Sequence, residues 1–210
     1  MDWIKIALVI HVASGALSLI TGLLVFILQK GTAFHIRIGK LYFWCMTIVF
    51  ISSIYVSIAK NNLFLLLIGF FSFYLVFSGI EYSKERTVTK TSVKHYLQVF
   101  SFASCFIIML LLGIYATFKG NMALGIILLV FGGIGASLSL VDVKYYILKR
   151  PRGSLIWMKD HIGRMTGSYI AAFTAFAVNN IQFLPTVVIW LLPTLIGTGV
   201  IIYYNKKYKL

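Results

Sequence analysis

Seven stretches of roughly 18 to 25 predominantly apolar residues, separated by short polar turns, constrain this chain more than any other feature. A hydrocarbon core about 30 Å thick takes about 20 residues of helix, so runs of this length read as membrane spans. They are predicted at 4–28, 38–59, 63–80, 96–118, 122–143, 162–178 and 183–204. The expected fold class is therefore an all-α integral membrane protein. It is a seven-transmembrane-helix bundle forming a single transmembrane domain over residues 1–210. Charge content agrees, at 11%, where soluble domains carry about 25%. The first apolar run is longer than a signal-peptide core, and its strongest positive charge follows it. It is expected to remain as a span.

A net charge of +14 raises the question of nucleic acid, and the placement of that charge answers it. Lys30, Arg37 and Lys40 fall in the first turn, and Lys84, Arg86, Lys90 and Lys94 in the third. Lys144, Lys149, Arg150, Arg152, Lys159 and Arg164 fall in the fifth, and Lys206, Lys207 and Lys209 in the tail. Only Lys5, Lys60 and Lys119 lie on the other side. Such asymmetry predicts an outside N-terminus and a cytoplasmic C-terminus, as an odd number of spans requires. The partners expected are the lipid bilayer and anionic lipids at the cytoplasmic face, not nucleic acid. A homo-oligomer or a larger membrane complex stays open. Tyr145, Tyr146, Trp157, Tyr203 and Tyr204 fall where an inner aromatic belt would lie. Cys45 and Cys105 lie inside apolar runs and read as core rather than as a disulfide.

A weak repeat runs at sixty residues: His35, Cys45 and Tyr55 return as His95, Cys105 and Tyr115. It reads as helix 1 followed by three hairpins, 2–3, 4–5 and 6–7, with the third unit opening at His161. Small residues at helical spacing identify inward faces, because helices in lipid associate through close packing. His11, Gly15, Ser18 and Gly22 make one stripe. His161, Met165, Ser168, Ala172, Ala175 and Asn179 make another, and Gly125, Gly132, Ala136 and Ser139 run towards Asp142. Pro193 predicts a kink in the last span.

Each helix that enters from the cytoplasmic side opens with a histidine: His35, His95 and His161. With Asp142 at a similar depth, these are the candidate metal ligands, since imidazoles and a carboxylate at one level suit a metal ion or a haem iron. The alternative is that each histidine caps its helix or meets a headgroup. His11 lies two turns into the first span, where a partner must satisfy it. Met46, Met109 and Met165 share helices with the three histidines but read as packing. No phosphate-binding loop, HExxH, CxxC or GxSxG motif occurs, and the last span has no lysine within it for a retinal Schiff base. Whether the protein is an enzyme is left open.

His11, Gly15 and Gly22, followed by His35, Gly39 and Tyr42, resemble a family of predicted bacterial multi-pass membrane proteins catalogued as a domain of unknown function. That family has a histidine in its first span and an H-R-x-x-G-x-x-Y start to its second. Here Arg37 stands two positions after His35 rather than one. The stretch from Asp160 to Tyr169, DHIGRMTGSY, is similar to the family's later histidine segment. The resemblance covers about a third of the chain. It implies a bacterial cytoplasmic-membrane location and favours His11, His35 and His161 over His95 as cofactor-binding residues. The leading expectation is a metal ion or one haem held by these histidines in a redox or cofactor-handling role. The alternatives are a small permease or membrane sensor with a polar path between helices 1, 5 and 6, and an accessory subunit of a membrane complex.

Overall fold

The protein is described by a computed structural model covering residues 2–84, 92–150 and 155–210. Arg86, Lys90 and Arg152, which contribute to the charge asymmetry, lie outside the described residues. Seven α-helices follow in order: α1 Trp3–Ile27, α2 Ala33–Ala59, α3 Leu63–Lys84, α4 Val93–Phe118, α5 Met122–Asp142, α6 Ile156–Asn180 and α7 Thr186–Lys207. A π-helical turn, Val143–Ile147, extends α5. No strand occurs among the described residues.

Six of the helices are long and apolar enough to cross a bilayer, so the chain is a multi-pass membrane protein. The helix outside that set is α6, which carries Lys159, Asp160 and Arg164 in its first turns. Leu17, Ile20, Ile51, Ile107, Leu111 and Leu195 are exposed along the helices, as lipid-facing side chains must be.

Local chemistry sets the helix starts. Thr32 caps α2, its hydroxyl accepting from the His35 amide at 3.2 Å, and Asn121 caps α5 by accepting from the Leu124 amide at 3.2 Å. Ser92 and His95 form a reciprocal capping box on α4. α2 and α6 therefore begin well ahead of the apolar runs, at Ala33 and Ile156, and carry their histidines inside the helix. At the other end of α1, the Lys30 ammonium donates to the Val25 and Phe26 carbonyls at 2.6 and 3.0 Å, closing that helix. Pro193 lies inside α7, as expected.

α2 packs on α3, α4 on α5 and α6 on α7, as the hairpin reading has it, while α1 packs chiefly on α2 and α3 chiefly on α6. α6 is consequently an inner helix touching α1, α3 and α7. Its buried residues run round much of its circumference and include Arg164, Ser168, Ala171 and Thr174, whereas Ala175 and Asn179 of the predicted stripe are exposed. α3 and α6 meet at Gly79, where a Cβ would lie 3.0 Å from Met165 Sδ. The core cluster joins Phe71, Tyr74, Phe102, Phe106, Met109 and Phe131, together with Cys105. Cys45 and Cys105 are free thiols, both buried. Tyr145 and Tyr146 depart from the belt expectation. The wider π turn rotates both inward, and they are 6% and 0% exposed, whereas Tyr203 stays on the surface at 59%.

Candidate functional site

Two polar regions flank α6. The first is sealed. Arg164 and Asp142 are 1% and 0% exposed and pair in a two-pronged salt bridge, Nη2 to Oδ1 at 2.7 Å and Nη1 to Oδ2 at 3.2 Å. The Tyr74 hydroxyl donates to Asp142 Oδ2 at 2.6 Å and the Tyr82 hydroxyl to Oδ1 at 2.8 Å. Arg164 Nη1 also donates to the Tyr74 oxygen at 2.8 Å, and Nη2 to the Leu138 carbonyl at 3.1 Å. The guanidinium carbon sits 4.5 Å from the Tyr82 ring centroid, which adds a cation–π contact. This cluster ties α3, α5 and α6 together. Charges this deep persist only when compensated, and here each carboxylate oxygen and both terminal guanidinium nitrogens are engaged.

Arg164 is expected in a cytoplasmic turn and Asp142 among the metal ligands, whereas in the structure the two pair with each other. α6 starts early enough to bring Arg164 inside the bundle, where it neutralises Asp142. His95 belongs to the same side. Its ring lies flat on Tyr146, with centroids 4.4 Å apart and planes 11° apart, and Tyr146 meets Tyr82 edge-on at 5.9 Å. His95 Nδ1 accepts from the Ser92 amide at 3.0 Å. Among the described residues no three of His, Cys, Asp and Glu come together as ligands for one metal ion. The set His35, His95, His161 and Asp142 is therefore not gathered, because the capping role holds His95 against Tyr146.

The second region is open. A cavity of about 550 Å³ lies between α1, α2, α6 and α7, with the end of α3 on its rim. It is lined by His35 and His161, by Tyr42, Tyr169 and Tyr204, and by Lys30, Lys40 and Lys84. Gly22 lets the Tyr169 ring pack directly on α1, since any Cβ there would collide with it. Tyr42 and Tyr169 are held in place, the first by a 2.8 Å hydrogen bond to Ser168 and the second by Phe26, edge-on at 5.2 Å.

The two histidines of this cavity differ in their bonding. His161 Nδ1 lies 2.8 Å from the Gly79 carbonyl, which only accepts, so this nitrogen carries the proton and Nε2 of the neutral ring keeps its lone pair. The His35 Nδ1 is buried without a partner. Lys30 adds positive charge beside them, with its pKa lowered by partial burial and then by nearby Lys207.

His11 stands apart from both regions. Its Nδ1 is 3.0 Å from Ser52 Oγ, so it links α1 to α2. The stripe through Ser18 and Gly22 is buried against α2, and the α5 glycines pack on α4, with Gly132 beside Met109 and Leu110. Sequence reasoning missed Arg164, Tyr74 and Tyr82 as one unit. The signal available was an Arg and an Asp at one depth on different spans. Lys30 was read only as an orientation signal.

Comparison with protein-family models, with curated proteins and with solved structures returned no match.

Proposed function

We propose that the chain is a seven-span protein of the bacterial cytoplasmic membrane that holds one haem in the cavity between α1, α2, α6 and α7. The charge asymmetry of the turns supports an outside N-terminus and a cytoplasmic C-terminus, which puts the cavity mouth at the cytoplasmic face. α6 counts as the seventh span because Asp142 offsets its buried Arg164 and because α1, α3 and α7 surround it.

One observation carries the reading. Two histidines share one cavity, and His161 is anchored through its ring to the Gly79 carbonyl and keeps a lone-pair nitrogen. Carbonyl anchoring of this kind orients and activates metal-bound imidazoles. A bare metal ion would need further protein ligands, which the described residues do not bring together. Haem would bring four nitrogens of its own and would need only one or two protein donors, which His161 and His35 would supply. The remaining fit is amphipathic: Tyr42, Tyr169 and Tyr204 offer flat walls, and Lys30, Lys40 and Lys84 offer cations to carboxylate side arms.

Haem would bring redox chemistry to the site. The chain's own residues would orient it, exclude water and set its charge environment. The test is purification in mild detergent without chelator or polyhistidine tag, followed by elemental analysis, an absorption spectrum and titration with haemin. Saturable binding with a Soret shift that His161→Ala removes is the expected outcome. No iron in the preparation, together with haemin binding that His161→Ala and His35→Ala leave unchanged, would sink the reading.

A further inference from the structure

The cavity between α1, α2, α6 and α7 is two-ended. Lys30, in the turn after α1, and Lys84, at the end of α3, line it on the side where α2 and α6 begin. Tyr169 lines it eight residues beyond His161 on α6, about 12 Å deeper in the bundle. Three ammonium groups border the cavity, those of Lys30, Lys40 and Lys84, and among the described residues no Asp or Glu does. Little compensates that charge from behind. Glu81 reaches Lys84 at 3.4 Å but also holds Lys94. The Lys30 pKa is lowered by partial burial and then by Lys207, a second cation close by. Lys40 is exposed and forms no ion pair among the described residues. Beside it Gly39 lines the cavity from the interior of α2, and a Cβ there would meet nothing within 4 Å. Glycine is a poor helix former, and at this position its missing side chain leaves room next to Lys40.

We propose that an anionic glycerophospholipid of the surrounding leaflet occupies this cavity when haem does not, with its phosphate among Lys30, Lys40 and Lys84 and an acyl chain along the apolar walls. Lipid binding follows from the lining alone, whereas competition with haem rests on the proposed haem site. Charge selects an anion over a zwitterion, because a zwitterionic headgroup would add its own cation beside three others. Lysine holds phosphate as a point charge, so no fork geometry is required. Lys30, tied to the Val25 and Phe26 carbonyls, contributes charge, and Lys40 and Lys84 contribute reach. The walls select a lipid over a soluble phosphate. Val25, Phe26, Ile36, Ile80, Ile162 and Met165 offer an acyl chain apolar contact, which a small ion would leave unused. Trp157 and Tyr208, also in the lining, are residue types that settle at headgroup level. Haem carboxylates and the lipid phosphate would call on the same lysines. The anionic content of the leaflet would then set how readily the cavity takes haem.

The experiment uses the full chain in mild detergent. Native mass spectrometry counts retained lipid during titration with phosphatidylglycerol or with phosphatidylcholine of the same acyl chains. One phosphatidylglycerol should bind at least about tenfold more tightly than phosphatidylcholine, and free glycerol phosphate should not displace it. Lys40→Gln and Lys84→Gln should each weaken it about fivefold, the worth of one lysine beside an anionic headgroup. Lys144→Gln, on a cytoplasmic-side lysine outside the lining, should leave it unchanged. Gly39→Leu, whose side chain enters the cavity, should weaken it at least about tenfold with the thermal midpoint preserved. His161→Ala should keep the lipid and lose haemin, which separates the two proposals. Added phosphatidylglycerol should weaken haemin binding in the wild type. Equal affinity for the two lipids would overturn the lipid assignment, as would displacement by glycerol phosphate. So would a loss in Lys144→Gln equal to that in Lys40→Gln, since that is the diffuse attraction of a basic face. Haemin binding indifferent to phosphatidylglycerol would overturn the competition, and absence of haemin binding would sink the haem reading while the lipid titration stands.

Discussion

α2 and α4 open with the same device and put it to different uses. Thr32 and Ser92 cap the two helices, and a histidine follows three residues later in each, sixty positions apart in the chain. On α4 the histidine turns back on its cap, stacks on Tyr146 and joins a closed series running through Tyr82 to Asp142 and Arg164. On α2 the ring leaves the cap to the hydroxyl alone and faces a cavity shared with His161. The lesson is that the cap specifies where a histidine stands, while the neighbouring helix specifies what it can do. Tyr146 occupies the ring on one side. On the other, the ring lines a cavity.

Four substitutions separate the closed side from the open one. Asp142→Ala should have the largest effect, about 3–5 kcal/mol of lost stability, because it leaves the Arg164 charge buried and unpaired. Its check is the thermal midpoint in detergent, and a near-native value would show that Arg164 finds another partner or reaches water. His161→Ala should cost haemin affinity on the order of 100-fold, about 2.7 kcal/mol, with a much smaller change in stability, as spectroscopic titration would show. Third comes His95→Ala, which should lower stability by about 1–2 kcal/mol through the lost cap and stacked ring, with haemin affinity within about twofold of wild type. If haemin binding collapsed instead, the two helix starts would not be functionally distinct. Ser52→Ala should be the mildest, about 0.5–1.5 kcal/mol, since it removes one hydrogen bond to His11. A loss of haemin binding in that variant would move His11 from clamp to cofactor site.

Much of the fold was legible before any coordinates. The predicted spans overlap all seven helices, because run length against bilayer thickness is a strong constraint that owes nothing to neighbours. The stripe through Ser18 and Gly22, the buried thiols and the proline in α7 were legible for the same kind of reason, helical periodicity. The candidate site was only half legible. Residue type and depth singled out four histidines, but nothing in the spacing said that His35 and His161 share a cavity while His95 and His11 are bound elsewhere. Arg164 was the largest omission. A cation near a span end looks like an orientation signal unless its counter-ion is known, and Asp142 lies 22 residues earlier in the chain, on another helix.

The sequence by itself therefore determined the class of protein and the number and approximate limits of its helices. All of these follow from local chemistry and from the solvent the chain must live in. Only the tertiary structure decided which helices meet. By seating α6 among α1, α3 and α7 it turned one face towards Asp142 and another towards His35, because a contact between residues on different helices depends on rotation and crossing, which apolar periodicity alone does not encode.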